Sequence, residues 1–281
     1  MRRSWLSSVI GILGVLAVGS AAVTSCYPGS SNPPPLTRYY VSMGDSLSTG
    51  TGVSAGQGYV DDIFTHESTR LSGLVAQRFG CPGATTTSMI NGGGCSYADG
   101  SQLATAEAFL AAHSSSVAFV TIDIGANDVT PCFTATGVND TCLQSATATV
   151  QANLATIMDG LRSAGGSVPI FGMTYYDPFL ATWIAGSHDA ATQSEQATVS
   201  GNAAITTLYE SRGAHVADVQ TTFDTTNFAL TGSYNGSTVP QNVANVCAWT
   251  LMCPAGNIHA NATGYQLIAD TFEPLIDATV S

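Results

Sequence analysis

The stretch MGDSLSTGTGVSAG, Met43 to Gly56, sets two candidate nucleophilic serines eight residues apart. Ser46 stands in G-D-S-L. Ser54 stands in G-V-S-A-G, which fits G-x-S-x-G, the pattern of a serine held on a sharp turn after a strand. What precedes each serine decides between them. The apolar run RYYVSM, Arg38 to Met43, leads straight into Gly44 and Ser46, whereas Ser54 follows the turn-rich S-T-G-T-G and Val53, with no strand to feed an elbow. Ser46 is therefore read as the nucleophile, held at the carboxyl end of a strand.

Further runs of the same kind lie downstream: LVAQRF (Leu74 to Phe79), VAFVTIDI (Val117 to Ile124), VPIFGM (Val168 to Met173) and AHVADV (Ala214 to Val219). Helical patterns separate them. Between Ser145 and Arg162, Val150, Leu154, Ile157, Met158 and Leu161 repeat at the spacing of one helix face, and Gly165-Gly166 stops the helix. Near the C-terminus Tyr265, Ile268, Ala269, Phe272, Leu275 and Ile276 do the same, with Pro274 expected to bend the helix. Strands alternating with helices imply a parallel sheet covered on both faces by right-handed crossovers. The expected fold is α/β, one three-layer α/β/α sandwich from residue 38 to 281.

The chain has 281 residues, 44% hydrophobic and only 9% charged, enough for one large packed domain. Its first residues, MRRSWLSSVIGILGVLAVGSAAVTSC, combine two arginines, an apolar run too short for a comfortable membrane span, and small residues, which reads as a secretory signal over residues 1–25. Val23-Thr24-Ser25-Cys26 resembles a bacterial lipobox, so Cys26 is a candidate lipidated N-terminus and membrane anchor; cleavage after Ala22 is the alternative. Residues 26–37, rich in Pro, Ser and Gly, read as a tether. Loss of the leader removes Arg2 and Arg3 and leaves five arginines against 19 acidic residues. Such a surface repels phosphate backbones and excludes nucleic acid as a partner. Six further cysteines fall into close pairs, Cys81 and Cys95, Cys132 and Cys142, Cys247 and Cys253, so three local disulfides are favoured among fifteen connectivities in an exported protein. With no C-x-x-C and no histidine spaced from a cysteine pair as in zinc sites, no metal site is expected. Buried free thiols are the alternative.

Three more blocks accompany G-D-S-L. GCPGATTTSMI places Gly83 in a turn after the second strand, GAND places Asn127 at the end of the central strand, and NIHANATGY places His259 before the last helix. This ordered set resembles the SGNH (GDSL) hydrolases, secreted bacterial esterases and lipases, from about Arg38 to the C-terminus. The resemblance implies a flavodoxin-like hydrolase fold, Ser46 as nucleophile, His259 as general base, and an oxyanion hole of the Ser46 N–H, the Gly83 N–H and the Asn127 side-chain amide. The chemistry asks for these types. An imidazole takes the proton of a hydroxyl that is otherwise a poor nucleophile, and an amide donor adds no charge.

One position departs. Most members of the family carry an aspartate three residues before the histidine, and here Gly256 stands there, while Asn257 is not spaced to replace it. The histidine partner is then an acid from elsewhere, such as Asp177 or Asp224, or, as favoured here, a backbone carbonyl near Gly256; failing both, the site does not work. The expected activity is hydrolysis of carboxylic esters, without cofactor, by an exported monomer in free or membrane-anchored form. The substrate is an acyl ester, a lipid or an acylated carbohydrate, and the lack of a long apolar lid between blocks favours short or modest acyl chains. Competing readings are acyl transfer to an alcohol, a surface lipoprotein that binds without catalysing, and an α/β-hydrolase acting through Ser54. His66, His113, His188 and His215 are read as surface or structural. Tyr175, Tyr176 and Asp177, with Trp183 nearby, are expected along the cleft.

Overall fold

Alternation along the first strand builds a two-faced sheet. In β1 (Arg38–Gly44), Val41 and Met43 point into one apolar cluster and Tyr40 into another; in β3 (Val117–Asp123), Val120 and Ile122 point the first way and Phe119 the second. A computed structural model describes residues 36–281. The leader, Cys26 and nearly all of the tether lie outside the described residues.

With β2 (Leu74–Arg78), β4 (Ile170–Met173) and β5 (His215–Ala217), the strands form one parallel sheet in the order β2-β1-β3-β4-β5. The five apolar runs are the five strands. Two start later than the runs themselves, because Val168 and Pro169, and Ala214, lie ahead of the pairing. The helices Tyr59–Arg70 and Ala262–Thr279 cover one face; Gln102–His113, Asp140–Gly165 and His188–Ser211 cover the other. This is the α/β/α sandwich expected. The helix expected over 145–162 is longer at both ends, because Asn139 caps it through the Cys142 amide and Gly166 ends it with φ +59°. Pro274 sits inside the last helix on its exposed side, and the helix runs on to Thr279.

The connections grow at the carboxyl ends of the strands. After β4 comes the tight helical segment Pro178–Ala185. After β5 come a small hairpin (Gly232–Tyr234 with Ser237–Val239) and the helix Gln241–Trp249, which share a satellite core of Leu180, Val239, Val243 and Val246. The strand order reverses between β1 and β3. In open α/β sheets the crevice outside the carboxyl ends at such a reversal is where ligands bind.

Candidate active site

At that reversal the last residue of β1 pairs with the last of β3, Gly44 with Asp123. Gly44 has φ +141°, and a β-carbon there would overlap the Asp123 carboxyl and carbonyl, so only glycine lets the chain turn here. Gln102 clamps the turn, accepting from the Gly44 N–H at 2.7 Å and donating to its carbonyl at 3.0 Å. Ser46 follows, nearly buried, in a run of turns rather than at the start of a helix. Asp45 Oδ1 accepts from the Leu47 N–H at 3.0 Å, and the Ser46 hydroxyl makes a long contact of 3.5 Å with the same oxygen. Ser54 is exposed in a loop and borders no part of the cleft that Ser46 lines.

Beneath this turn lie two buried carboxyls. Tyr59 donates its hydroxyl to Asp123 Oδ1 at 2.6 Å, and the Asp45 N–H reaches the Asp123 carbonyl at 3.1 Å. Burial raises both acids above the usual carboxylate range, and the neighbouring Asp45 pushes Asp123 further in the same direction. Asp123 is the one charged residue in VAFVTIDI. A lone acid in a central strand was the signal for this pair.

His259 is half-buried, and its backbone is tied to Leu251, whose N–H donates to the His259 carbonyl at 2.9 Å within the loop held by the Cys247–Cys253 disulfide. Tyr176 donates to the Ile258 carbonyl at 2.8 Å. The ring is oriented by Asn257. Its Oδ1 accepts from the His259 N–H at 3.0 Å and lies 2.5 Å from Nδ1. A backbone N–H can only donate, so the atom shared by both contacts is the amide oxygen, and Nδ1 must carry the proton. Nε2 is then the unprotonated nitrogen, and it is buried without a partner among the described residues. Burial lowers the imidazole below its ordinary value.

The expectation for the histidine partner is thereby corrected. The place against Nδ1 is taken by the Asn257 side chain, not by the Gly256 carbonyl. Gly256 instead ends a short helix in the left-handed region, φ +64°. Asp177 is buried and occupied, accepting from the Phe179 N–H at 2.8 Å and the Ser194 hydroxyl at 2.7 Å, with burial pushing it up to about 7; Asp224 accepts from Asn227. The signal for Asn257 was local. An Asx turn folds a side-chain oxygen onto the N–H two residues on, and with histidine at that position the same oxygen reaches Nδ1.

Asn127 follows β3 in the short helix Ala126–Val129, and its Nδ2 donates to the Ala84 carbonyl at 3.0 Å, leaving one of its two N–H bonds free. Asp128 binds the Thr86 amide at 2.8 Å and hydroxyl at 2.7 Å, which ties the Gly83 loop to the Asn127 turn. Neither the Ser46 N–H nor the Gly83 N–H donates to another group among the described residues. Gly83, with φ +77°, is exposed beside the cleft and is not part of its lining. The disulfides join Cys81 to Cys95, Cys132 to Cys142 and Cys247 to Cys253.

Ser46, Asn127 and His259 open into one cleft whose walls are mostly apolar. Tyr175 and Tyr176 line it, as expected. Asp177 and Trp183 do not. Away from the cleft, His66, Glu67 and Asp277 gather as possible ion ligands, but Arg70 already sits among them, 2.8 Å from Asp277.

The GDSL-like Lipase/Acylhydrolase family model matches residues 42–267. Sequence comparison with curated proteins returns no match. Among solved structures, the extracellular lipase from Streptomyces rimosus superposes with a TM-score of 0.59 at 20% identity, covering 87% of this chain and 100% of that one. A lipase from a goat rumen metagenome, Lip_vut3, gives 0.58 at 15% over 85% and 97%. The acetylxylan esterase Axe2 from Geobacillus stearothermophilus gives 0.56 at 16% over 86% and 95%. At these identities the likeness is one of fold, and the matched family model runs from the strand before Ser46 into the helix after His259. The chain belongs to the GDSL-like lipase/acylhydrolase family and is a carboxylic ester hydrolase.

Proposed function

We propose that the protein is an exported serine esterase that works through an acyl-enzyme on Ser46, with His259 as general base and Asn257 holding the imidazole. The observation that carries this reading is the single cleft shared by Ser46 and an imidazole whose Nδ1 proton is fixed by Asn257, leaving Nε2 as the acceptor. For attack, the Ser46 hydroxyl leaves its long contact with Asp45 and gives its proton to Nε2 while Oγ bonds the ester carbonyl carbon. Catalytic hydrogen bonds often tighten only with substrate bound. The Ser46 and Gly83 N–H groups and the free Asn127 N–H would meet the oxyanion, each such donor being worth roughly 3 to 4 kcal/mol in the transition state. Collapse expels the alcohol, which takes the proton from His259; water then repeats the sequence and frees the acid.

Three disulfides are stable in an oxidising compartment. They support export, with residues 1–25 as the signal, 26–37 as the tether and 38–281 as the catalytic domain, either released or held by lipid on Cys26. Among the described residues no helix is long and apolar enough to cross a membrane.

The test is hydrolysis of p-nitrophenyl butyrate by the oxidised domain and its Ser46→Ala, His259→Ala and Ser54→Ala variants. The first two lose activity by at least about a thousandfold and the third keeps it. Activity that survives Ser46→Ala, or disappears with Ser54→Ala alone, overturns the assignment.

A further inference from the structure

The cleft does not stop at the candidate nucleophile. From Ser46 it passes over Gly125 and Asn127 and continues between the helices Asp140–Gly165 and His188–Ser211, where Leu143 and Val150 face it from one side and Gly201 and Ile205 from the other, with Phe133 and Phe179 on its walls. Phe133 and Phe179 stack with ring centres 4.7 Å apart. Val150 and Ile205 belong to the main core cluster, so the floor of the cleft is the core itself.

Gly201 is the informative residue. It lies inside a long helix, where glycine is unfavourable. Its φ is not in the left-handed region, and a β-carbon placed on it would meet no atom within 4 Å outside its own helix. The other helix-interior glycines differ. A β-carbon at Gly160 would strike Glu107, one at Gly165 would touch Leu110, and one at Gly264 would overlap the Trp249 carbonyl. Fixed backbone requires glycine at Gly264, and neighbouring side chains pack against the other two, whereas nothing packs against Gly201, because the space beside it is the cleft.

We infer that this inner cleft is the binding site for the acyl chain of the substrate, and that Gly201 keeps it open for straight fatty acyl chains of octanoyl length and beyond. The inference rests on the esterase reading, since it places the ester at Ser46 and the chain between the two helices. It also revises the sequence-based expectation of short or modest chains: the apolar volume comes from the gap between two helices, one of which presents glycine and alanine to it, and not from a lid.

The test is the chain-length profile of kcat/KM for p-nitrophenyl acetate, butyrate, octanoate and dodecanoate, measured for the wild type, Gly201→Ala and Gly201→Leu. In the wild type each buried methylene should raise kcat/KM by about fourfold until the chain fills the cleft. Gly201→Leu should lower octanoate and dodecanoate turnover at least about tenfold while acetate stays within about twofold, and Gly201→Ala should give a smaller loss in the same order. A flat wild-type profile, or a Gly201→Leu profile that falls equally for all four esters or not at all, overturns the inference while leaving the esterase reading intact. Failure of the wild type on every ester overturns the esterase reading instead. Calorimetry with sodium dodecanoate below its micelle concentration then decides the site alone: binding to the wild type that is lost in folded Gly201→Leu supports it, and equal binding or none overturns it.

Discussion

Asn257 gives the imidazole a neutral partner where a carboxylate would give a charged one. An amide oxygen fixes tautomer and orientation but stabilises imidazolium less. With burial also lowering His259, the imidazole stays unprotonated to lower pH than a free one. The acid limb of kcat/KM should therefore fall below the ordinary histidine value of about 6.5. Asn257→Asp should keep the geometry and move that limb to higher pH, because a negative charge beside the ring favours its protonated form. Asn257→Ala should lower kcat at least about tenfold with KM little changed, since the ring loses its anchor and its tautomer. A pH profile that is identical in the wild type and Asn257→Asp would remove Asn257 from this role. That Ser46, Asn127 and His259 would share one cleft was legible because each stands at the end of a strand or before a helix, in order. The contact of Asn257 with the ring was not, because family spacing pointed to Gly256 while the side chain that meets Nδ1 comes from an Asx turn across two residues.

At the scale of elements, the walls of the cleft hang on short disulfide loops. Phe133 follows Cys132 and Leu143 follows Cys142, so one disulfide ties together two residues that face the cleft. Another closes the loop that leads to His259. Loops of this length are each restrained by roughly 2 to 3 kcal/mol in chain-entropy terms. The sheet, by contrast, is held by two apolar clusters that include no cysteine apart from the Cys81–Cys95 pair. Graded reduction should therefore abolish ester hydrolysis before the far-ultraviolet dichroism of the helices and sheet is lost; simultaneous loss of both would contradict this. The strands were legible from apolar runs, and the helices at Asp140–Gly165 and Ala262–Thr279 from their large apolar stripes. The helix His188–Ser211 carried no such stripe. Its buried positions include Ala190, Ala191, Ser194 and Asn202, small or polar residues whose burial only the neighbouring segments create. The same smallness leaves room for the inner cleft, which is why the length of the acyl site was not visible in the sequence.

For the whole molecule, the buried acids set the dependence of stability on pH. Asp45, Asp123 and Asp177 are all raised by burial, Asp177 to about 7. Between the unfolded carboxylate value of about 4 and these raised values, the folded state holds protons that the unfolded chain has released. Stability then falls as pH rises through that window. His259 acts in the opposite sense, since its lowered folded value means that stability is lost as pH drops below about 6.5, but it is one half-buried ring against three fully buried carboxyls. The excess of acidic over basic residues adds repulsion that also eases on acidification. The melting temperature should be higher at about pH 5.5 than at about pH 8. A melting temperature that rises from pH 5.5 to pH 8 would show that the acids under the Ser46 turn are ionised in the folded protein.

Covalent labelling separates Ser46 from Ser54 as the nucleophile. The oxidised domain is treated with an alkyl fluorophosphonate and the labelled peptide is identified by mass spectrometry, in the wild type and in the His259→Ala and Ser54→Ala variants. A single adduct is expected on Ser46, persisting in Ser54→Ala and forming far more slowly in His259→Ala. An adduct on Ser54, or no adduct in a folded wild-type protein, would contradict this.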